Sequence, residues 1–115
     1  MPIDPILTSE IIEKFENYIE RKRPPKEIRN KLDIAYRIEN QSIIIYEIRP
    51  RWDNPKEYIH SDIAKTTYVK SANHWKIFWQ RADLKWYGYS PNPTVKKVSD
   101  FIKIVEEDKL GCFWG

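Results

Sequence analysis

The chain has 115 residues, a single cysteine and a net charge of +3. That length fits one domain, residues 1–115, with a modest core; one cysteine excludes an internal disulfide, and no stretch approaches the roughly 18 apolar residues of a membrane span. The N-terminal run MPIDPILTSEIIEKF lacks a basic segment followed by a long apolar one, so no secretory leader is expected, and the expectation is a soluble cytoplasmic protein without membrane contact.

Asp4 and Pro5 read as a helix cap followed by proline at the first helical position, where its missing N–H costs nothing. Leu7, Ile11, Phe15 and Ile19 then recur every four residues, widened by Ile12 and Tyr18, which predicts an amphipathic helix ending at Pro24-Pro25. Residues 26–31 are expected to add one further turn. From Asp33 the period changes to two: Ile34, Tyr36 and Ile38 alternate with polar neighbours, Asn40-Gln41 makes a tight turn, and SIIIYEIR (42–49) returns as a β-branched strand. Pro50 and WDNP (52–55) open a polar loop to about residue 62. IAKTTYVK (63–70), residues 74–80 and residues 85–89 complete five strands, with Ala72-Asn73 turning the third into the fourth. SPNP (90–93) stops the sheet. Val95, Val98, Phe101, Ile102 and Val105 mark a second helix, with Thr94 as its expected cap and Gly111 just past its end. Tight connections mean antiparallel neighbours, so the fold class is α+β: an N-terminal helix, a five-stranded antiparallel meander and a C-terminal helix, with the helices on one face.

The excess of positive charge is local. Residues 61–90 hold Lys65, Lys70, Lys76, Arg81 and Lys85 against Asp62 and Asp83, while the rest of the chain is balanced, and six of the sixteen aromatics lie between Trp75 and Tyr89. Rings interleaved with basic residues are a composition that nucleic-acid-binding surfaces use. A two-residue turn at Ala72-Asn73 pairs Lys70 with Trp75 and Tyr68 with Ile77. A loop of two or four residues around RADL (81–84) pairs Trp79 with Trp86 and Gln80 with Lys85. Alternation then sends Tyr68, Trp75, Ile77, Trp79 and Trp86 to the helix side. Lys65, Lys76, Phe78, Gln80, Lys85, Tyr87 and Tyr89 go to the other side, where the rings either pack under the 50–62 loop or a partner, or serve as stacking platforms between lysines.

Glu47 and Arg49 point the same way on a strand, as do Asp83 and Lys85 if extended, and an acid-x-Lys pair belongs to the metal-dependent nuclease pattern. The competing reading makes Glu47–Arg49 a surface ion pair and Asp83 a turn-closing acceptor. Cys112 needs a base to act as a nucleophile, and His60 and His74 both fall in expected loops; the alternative is a small hydrophobe in a C-terminal segment that packs back on the core with Phe113 and Trp114. One cysteine and two distant histidines give no zinc-ligand spacing, and no glycine-rich phosphate loop exists, so neither a metal nor a cofactor is expected.

Three segments, EIRPRWD (47–53), RADLKWYGYSP (81–91) and the terminal GCFWG (111–115), together resemble a bacterial family of small proteins, the domain-of-unknown-function family 3024. The resemblance runs from about Pro24 to the last residue, and the terminal Cys-Phe-aromatic-Gly is its most specific part. Tyr87 stands where the family pattern carries histidine after the Asp-Leu-Lys-Trp segment. The resemblance implies a bacterial cytoplasmic source and a natural C-terminus, and brings no activity with it.

Arg49, Arg51, Arg81, Asp83 and Lys85 converge if the 50–53 loop folds over the sheet edge, making either an anion site or an arginine–aspartate network that fixes the loop. The first expectation is a non-catalytic module that binds a polyanion, RNA or single-stranded DNA, through Arg49, Arg51, Lys65, Lys76, Phe78, Arg81, Lys85, Tyr87 and Tyr89. The alternatives are a protein-interaction or homodimer module using the same rings, and a metal-dependent phosphodiesterase centred on Glu47, Asp83 and Lys85.

Overall fold

The computed structural model describes residues 5–114, with side chains from Leu7 onward. Its elements are α1 (Pro5–Lys22), β1 (Asp33–Glu39), β2 (Ser42–Pro50), β3 (Tyr58–Val69), β4 (His74–Gln80), β5 (Trp86–Gly88), β6 (Thr94–Val95) and α2 (Val98–Glu107). The strands form one antiparallel sheet in the order β1-β2-β3-β4-β5, and β6 pairs with β4 along the edge that β5 also uses. The fold is therefore α+β, with a sixth short strand added to the expected five. The expected Asp4 cap lies outside the described residues.

Both helices bury their apolar stripe against the same side of the sheet. Ile11, Phe15, Tyr18 and Ile19 of α1 and Val98, Phe101, Ile102 and Val105 of α2 are buried, and they meet Ile43, Ile45 and Ile77 from the sheet. Phe15 is the meeting point, with ring centroids 5.3 Å from Tyr36 and 6.1 Å from Phe101. Ile12, at the margin of the stripe, is 41% exposed. No helix among the described residues is long and apolar enough to cross a membrane.

Two boundaries differ from the sequence reading. First, β3 begins at Tyr58 rather than at residue 63, because Tyr58 to Asp62 pair with Tyr46 to Pro50 across a bulge that skips Ile63. The extra residue resets the strand's phase and turns Asp62 to the side of the sheet away from the helices. Second, Thr94 does not cap α2. It pairs with Lys76, Val95 pairs with Trp75, and the Ile77 N–H donates to the Pro93 carbonyl at 3.0 Å. The short β5 leaves that part of the β4 edge open, and its backbone groups need partners more than a helix start needs a hydroxyl. Lys97 occupies the cap position with no side-chain bond. Residues 26–31 form the expected further turn, with Ile28 N–H bonded to the Pro25 carbonyl at 2.9 Å and Leu32 N–H to the Ile28 carbonyl at 3.0 Å.

The C-terminal segment packs back on the core. Asp108 ends α2 in the left-handed conformation (φ 41°), and its carboxylate accepts the N–H groups of Phe113 (3.1 Å) and Trp114 (2.8 Å). Trp114 Nε1 donates to the Val105 carbonyl at 3.0 Å. Phe113 is buried against Tyr89, centroids 5.1 Å apart, and Cys112 sits half-buried on the same cluster.

At the other end, Arg23 just beyond α1 grips Asp33 at the start of β1 with both prongs of its guanidinium, Nε to Oδ1 at 2.9 Å and Nη2 to Oδ2 at 2.7 Å. The Arg23 bonds, reinforced by the Ile34 N–H, hold the Asp33 carboxyl below its ordinary value against the opposing effect of burial. Because the folded-state value is the lower one, this contribution is complete above the unfolded value of about 4 and is lost as pH falls through the folded one. Asp33→Asn is expected to cost about 1–2 kcal/mol at neutral pH, between an exposed and a buried pair. In urea melts against pH the difference from wild type should shrink steadily below about pH 4; a difference that stays constant down to pH 2 contradicts the clamp.

Candidate functional site

Strand phase decides which side chains leave the helix side. From β3 to β4 the observed pairs are Tyr68 with Trp75, Thr66 with Ile77 and Lys65 with Phe78. This is two residues away from the expected alignment, because the connection spans residues 70–73: a 3-10 turn at Lys70–Ala72, then Asn73 in the left-handed conformation (φ 50°). A shift of two keeps every side chain on its expected face. From β4 to β5 the pairs are Gln80 with Trp86, Trp79 with Tyr87 and Phe78 with Gly88. That is a shift of one, and it exchanges the faces of β5.

The cause is a three-residue loop. Arg81 N–H bonds the Lys85 carbonyl at 3.1 Å, Leu84 N–H bonds the Arg81 carbonyl at 2.9 Å, and Leu84 adopts φ 64°. A tight turn closed by one left-handed residue is a common three-residue hairpin, normally marked by glycine. Asp83 supports it by accepting the Lys85 N–H at 3.0 Å, and the Tyr87 hydroxyl donates to the same carboxylate.

The consequences correct the aromatic face. Tyr89 is not on the open side: it is 2% exposed, in the core beside Phe113, with its N–H bonded to the Ile77 carbonyl at 2.9 Å. Tyr87 also takes the helix side, beside Trp79, and the Arg81 guanidinium stands 5.1 Å from the Trp79 ring and 4.7 Å from the Tyr87 ring. Trp86, expected inside, faces out.

The open side therefore presents Phe78 and Trp86 around Lys65, whose Nζ is 4.9 Å from each ring centroid. Burial among these groups lowers the Lys65 pKa, while Glu39 and Asp62 oppose the shift. Lys76, exposed, points the same way, and it makes no ion pair among the described residues. Next to this strip Arg37 is already engaged: it holds Asp62 with two bonds (2.8 and 3.1 Å) and Glu39 with one (2.8 Å), and lies over Tyr46, which stacks on His60 at 4.9 Å. Between strip and network, an open depression of about 350 Å³ lies over Ile44, rimmed by Ser42, Thr67, Gln41 and Trp86. Ile44 is 4% exposed although it belongs to the side without helices.

The remaining expected site residues do not join this surface. Arg49 bonds Glu47 (2.7 Å), the expected ion pair, and both share a phase with core Ile34, which puts them on the helix side. Arg51 is held by Asp53 and Glu57 within its own hairpin loop. Lys85 is exposed at the β4–β5 turn. The arginines of the two loops thus end on their own neighbours rather than in a common cluster, and Asp83 acts as the turn acceptor. His60 lies in β3 rather than in a loop, and His74 is the first residue of β4, where the expected 74–80 strand begins. Burial followed by Asp108 raises the Cys112 thiol, with Arg81 opposing. No group of three or more His, Cys, Asp or Glu side chains is placed to hold a metal ion among the described residues.

Two features escaped the sequence reading. The outward Trp86 has no local signal, because RADL carries no glycine to mark the left-handed position that Leu84 takes. Trp52, 95% exposed at the tip of the β2–β3 hairpin with half-exposed Tyr58 and Ile59 behind it, looked like an ordinary strand break.

The family model described as Domain of unknown function (DUF3024) matches residues 3–115. The chain belongs to that family. The match takes in α1, which the resemblance from Pro24 onward left out. No curated protein and no solved structure matches the chain. The DUF3024 description names no ligand and no reaction.

Truncating Trp86 tests the geometry of the strip. Trp86→Ala removes one of the two rings that desolvate the Lys65 ammonium, so its pKa should rise toward the ordinary lysine value, read by NMR titration of the side-chain Nζ group. An unchanged Lys65 titration contradicts the placement of Trp86.

Proposed function

We propose that this DUF3024 protein is a non-catalytic cytoplasmic module that binds single-stranded nucleic acid, RNA or DNA, on the side of its sheet opposite the helices. The observation that carries the reading is the Phe78–Lys65–Trp86 strip: two partly exposed rings flank a cation on a face that no element among the described residues covers. Bases of any sequence can stack on aromatic side chains, each worth about 1–3 kcal/mol by truncation, while lysines neutralise phosphates. A sheet that carries its helices behind and its rings in front is a geometry several RNA-binding folds share, which is an analogy of architecture alone. The charge balance argues for modest affinity. Arg37 is matched by Asp62 and Glu39, leaving Lys65 and Lys76 for phosphate.

A second reading, a contact module for another protein or a second copy, is favoured by Trp52. Its loop is braced by Arg51, and an exposed indole on a braced tip is a typical anchor for a protein surface.

Fluorescence anisotropy with short labelled RNA and DNA strands separates the two. Wild type should bind at low salt with log affinity falling against log salt at a slope of about −1.4, two phosphates at about −0.7 each. Phe78→Ala and Trp86→Ala should each weaken binding about fivefold or more, and Trp52→Ala should leave it unchanged. No binding at low salt removes the reading. A loss confined to Trp52→Ala transfers it to the hairpin.

A further inference from the structure

The strip alone explains binding without preference, since every base has a stacking face. The depression beside it has a different character. Its floor is apolar, formed by Ile44, and Trp86 makes one wall. Its rim carries neutral hydrogen-bonding groups, the hydroxyls of Ser42 and Thr67, paired across β2 and β3, and the side-chain amides of Asn40 and Gln41 in the turn before β2, beside the charged Arg37, Glu39 and Lys65. At about 350 Å³ it falls in the lower part of the range that holds small ligands.

The hydroxyl pair is the informative part. Ser42 Oγ and Thr67 Oγ1 are 2.7 Å apart, so one donates to the other. Two hydroxyls carry two protons, and their mutual bond uses one. The second proton and the remaining lone pairs have no further partner among the described residues, which leaves a donor and an acceptor side by side at the edge of an apolar floor. Glu39 and Arg37 also line the depression, bonded to each other at 2.8 Å, so their charges offset and Lys65 is left as the cation at its edge. A ligand for this site needs a flat face for Trp86 and an edge that both accepts and donates hydrogen bonds. An aliphatic ligand leaves the rim unsatisfied, and a bare anion makes no use of the floor.

We infer that the depression bounded by Ser42, Thr67 and Trp86 takes one nucleobase of the bound strand and reads its hydrogen-bonding edge, so that this protein prefers one base at one position. The inference rests on the single-strand reading above and narrows it from stacking to selection. Lys65, which touches both strip and depression, is placed to hold the phosphate that links the base in the depression to its stacked neighbours. Neutral hydroxyl and amide groups suit the task, because a site built to hydrogen-bond a particular edge rejects an edge that leaves its polar groups unpaired.

Anisotropy titrations with homopolymeric strands of U, C and A, each as RNA, test the inference. Wild type should favour one of them by about fivefold or more, the size of one well-made base contact. The double variant Ser42→Ala/Thr67→Val removes the hydroxyls at little change of shape, and should lower affinity for the preferred strand to the level of the other two while leaving those unchanged. Thr67→Val alone, a β-branched exchange suited to the strand, should reduce the preference in the same direction. A flat wild-type profile with binding intact overturns base selection and leaves the stacking reading standing. A preference that survives the double variant overturns the role of the hydroxyls. No binding to any strand overturns both readings together.

Discussion

The arrangement of the outer side depends on one turn. The Arg81–Lys85 loop has three residues between its closing pair, and Leu84 accepts a left-handed backbone to make that possible. Such a conformation costs a branched side chain about 1 kcal/mol or more. What offsets it lies in the strand that follows: with β5 in this phase, the Tyr89 N–H reaches the Ile77 carbonyl, and the Tyr89 ring drops into the core against Phe113. A loop one residue longer or shorter reverses both outcomes, sending Tyr89 into water and Trp86 under the helices. Asp83 takes part on the turn's behalf by bonding the Lys85 N–H and the Tyr87 hydroxyl, which occupies the carboxylate in structure.

The C-terminal segment and the turn are consequently one device. Phe113 supplies the wall that makes an inward Tyr89 favourable, and Asp108 supplies the bonds that hold Phe113 and Trp114 in place. Trp114 then reaches back to Val105, and Lys22 of α1 lies over its ring at 4.8 Å while pairing with Glu106 at 3.6 Å. The terminal Cys-Phe-Trp thus closes the core at the same place where β5 selects its face. The Phe78–Lys65–Trp86 strip on one side of the sheet is positioned by packing on the other.

Periodicity made most of this architecture legible. The four-residue stripe of α1 and the alternation in β1 and β2 have no competing interpretation, and the Asn40 and Asn73 turns use a residue that tolerates positive φ (52° and 50°). An error of two residues at the second of these turns was harmless, because alternation has a period of two. The β4–β5 turn was different. Two-residue and four-residue loops place β5 identically, the three-residue loop places it oppositely, and Leu84 gives no hint of the backbone it adopts. Tyr87 and Tyr89 were misplaced for that reason, while Lys65, Lys76 and Phe78, which lie on strands before the turn, were not. The bulge at Ile63 and the strand at Thr94 were hidden for a related reason: both answer the hydrogen-bonding needs of a neighbouring strand, which no local window displays.

The most direct test of the account is a nuclear Overhauser spectrum of the aromatic side chains in the intact protein. Cross-peaks from the Tyr89 ring to Phe113 and from the Trp86 indole to the Lys65 methylenes are what this sheet phase predicts. Cross-peaks from Tyr89 to Lys65, with Trp86 contacting the helix residues instead, contradict it and remove the outer strip altogether.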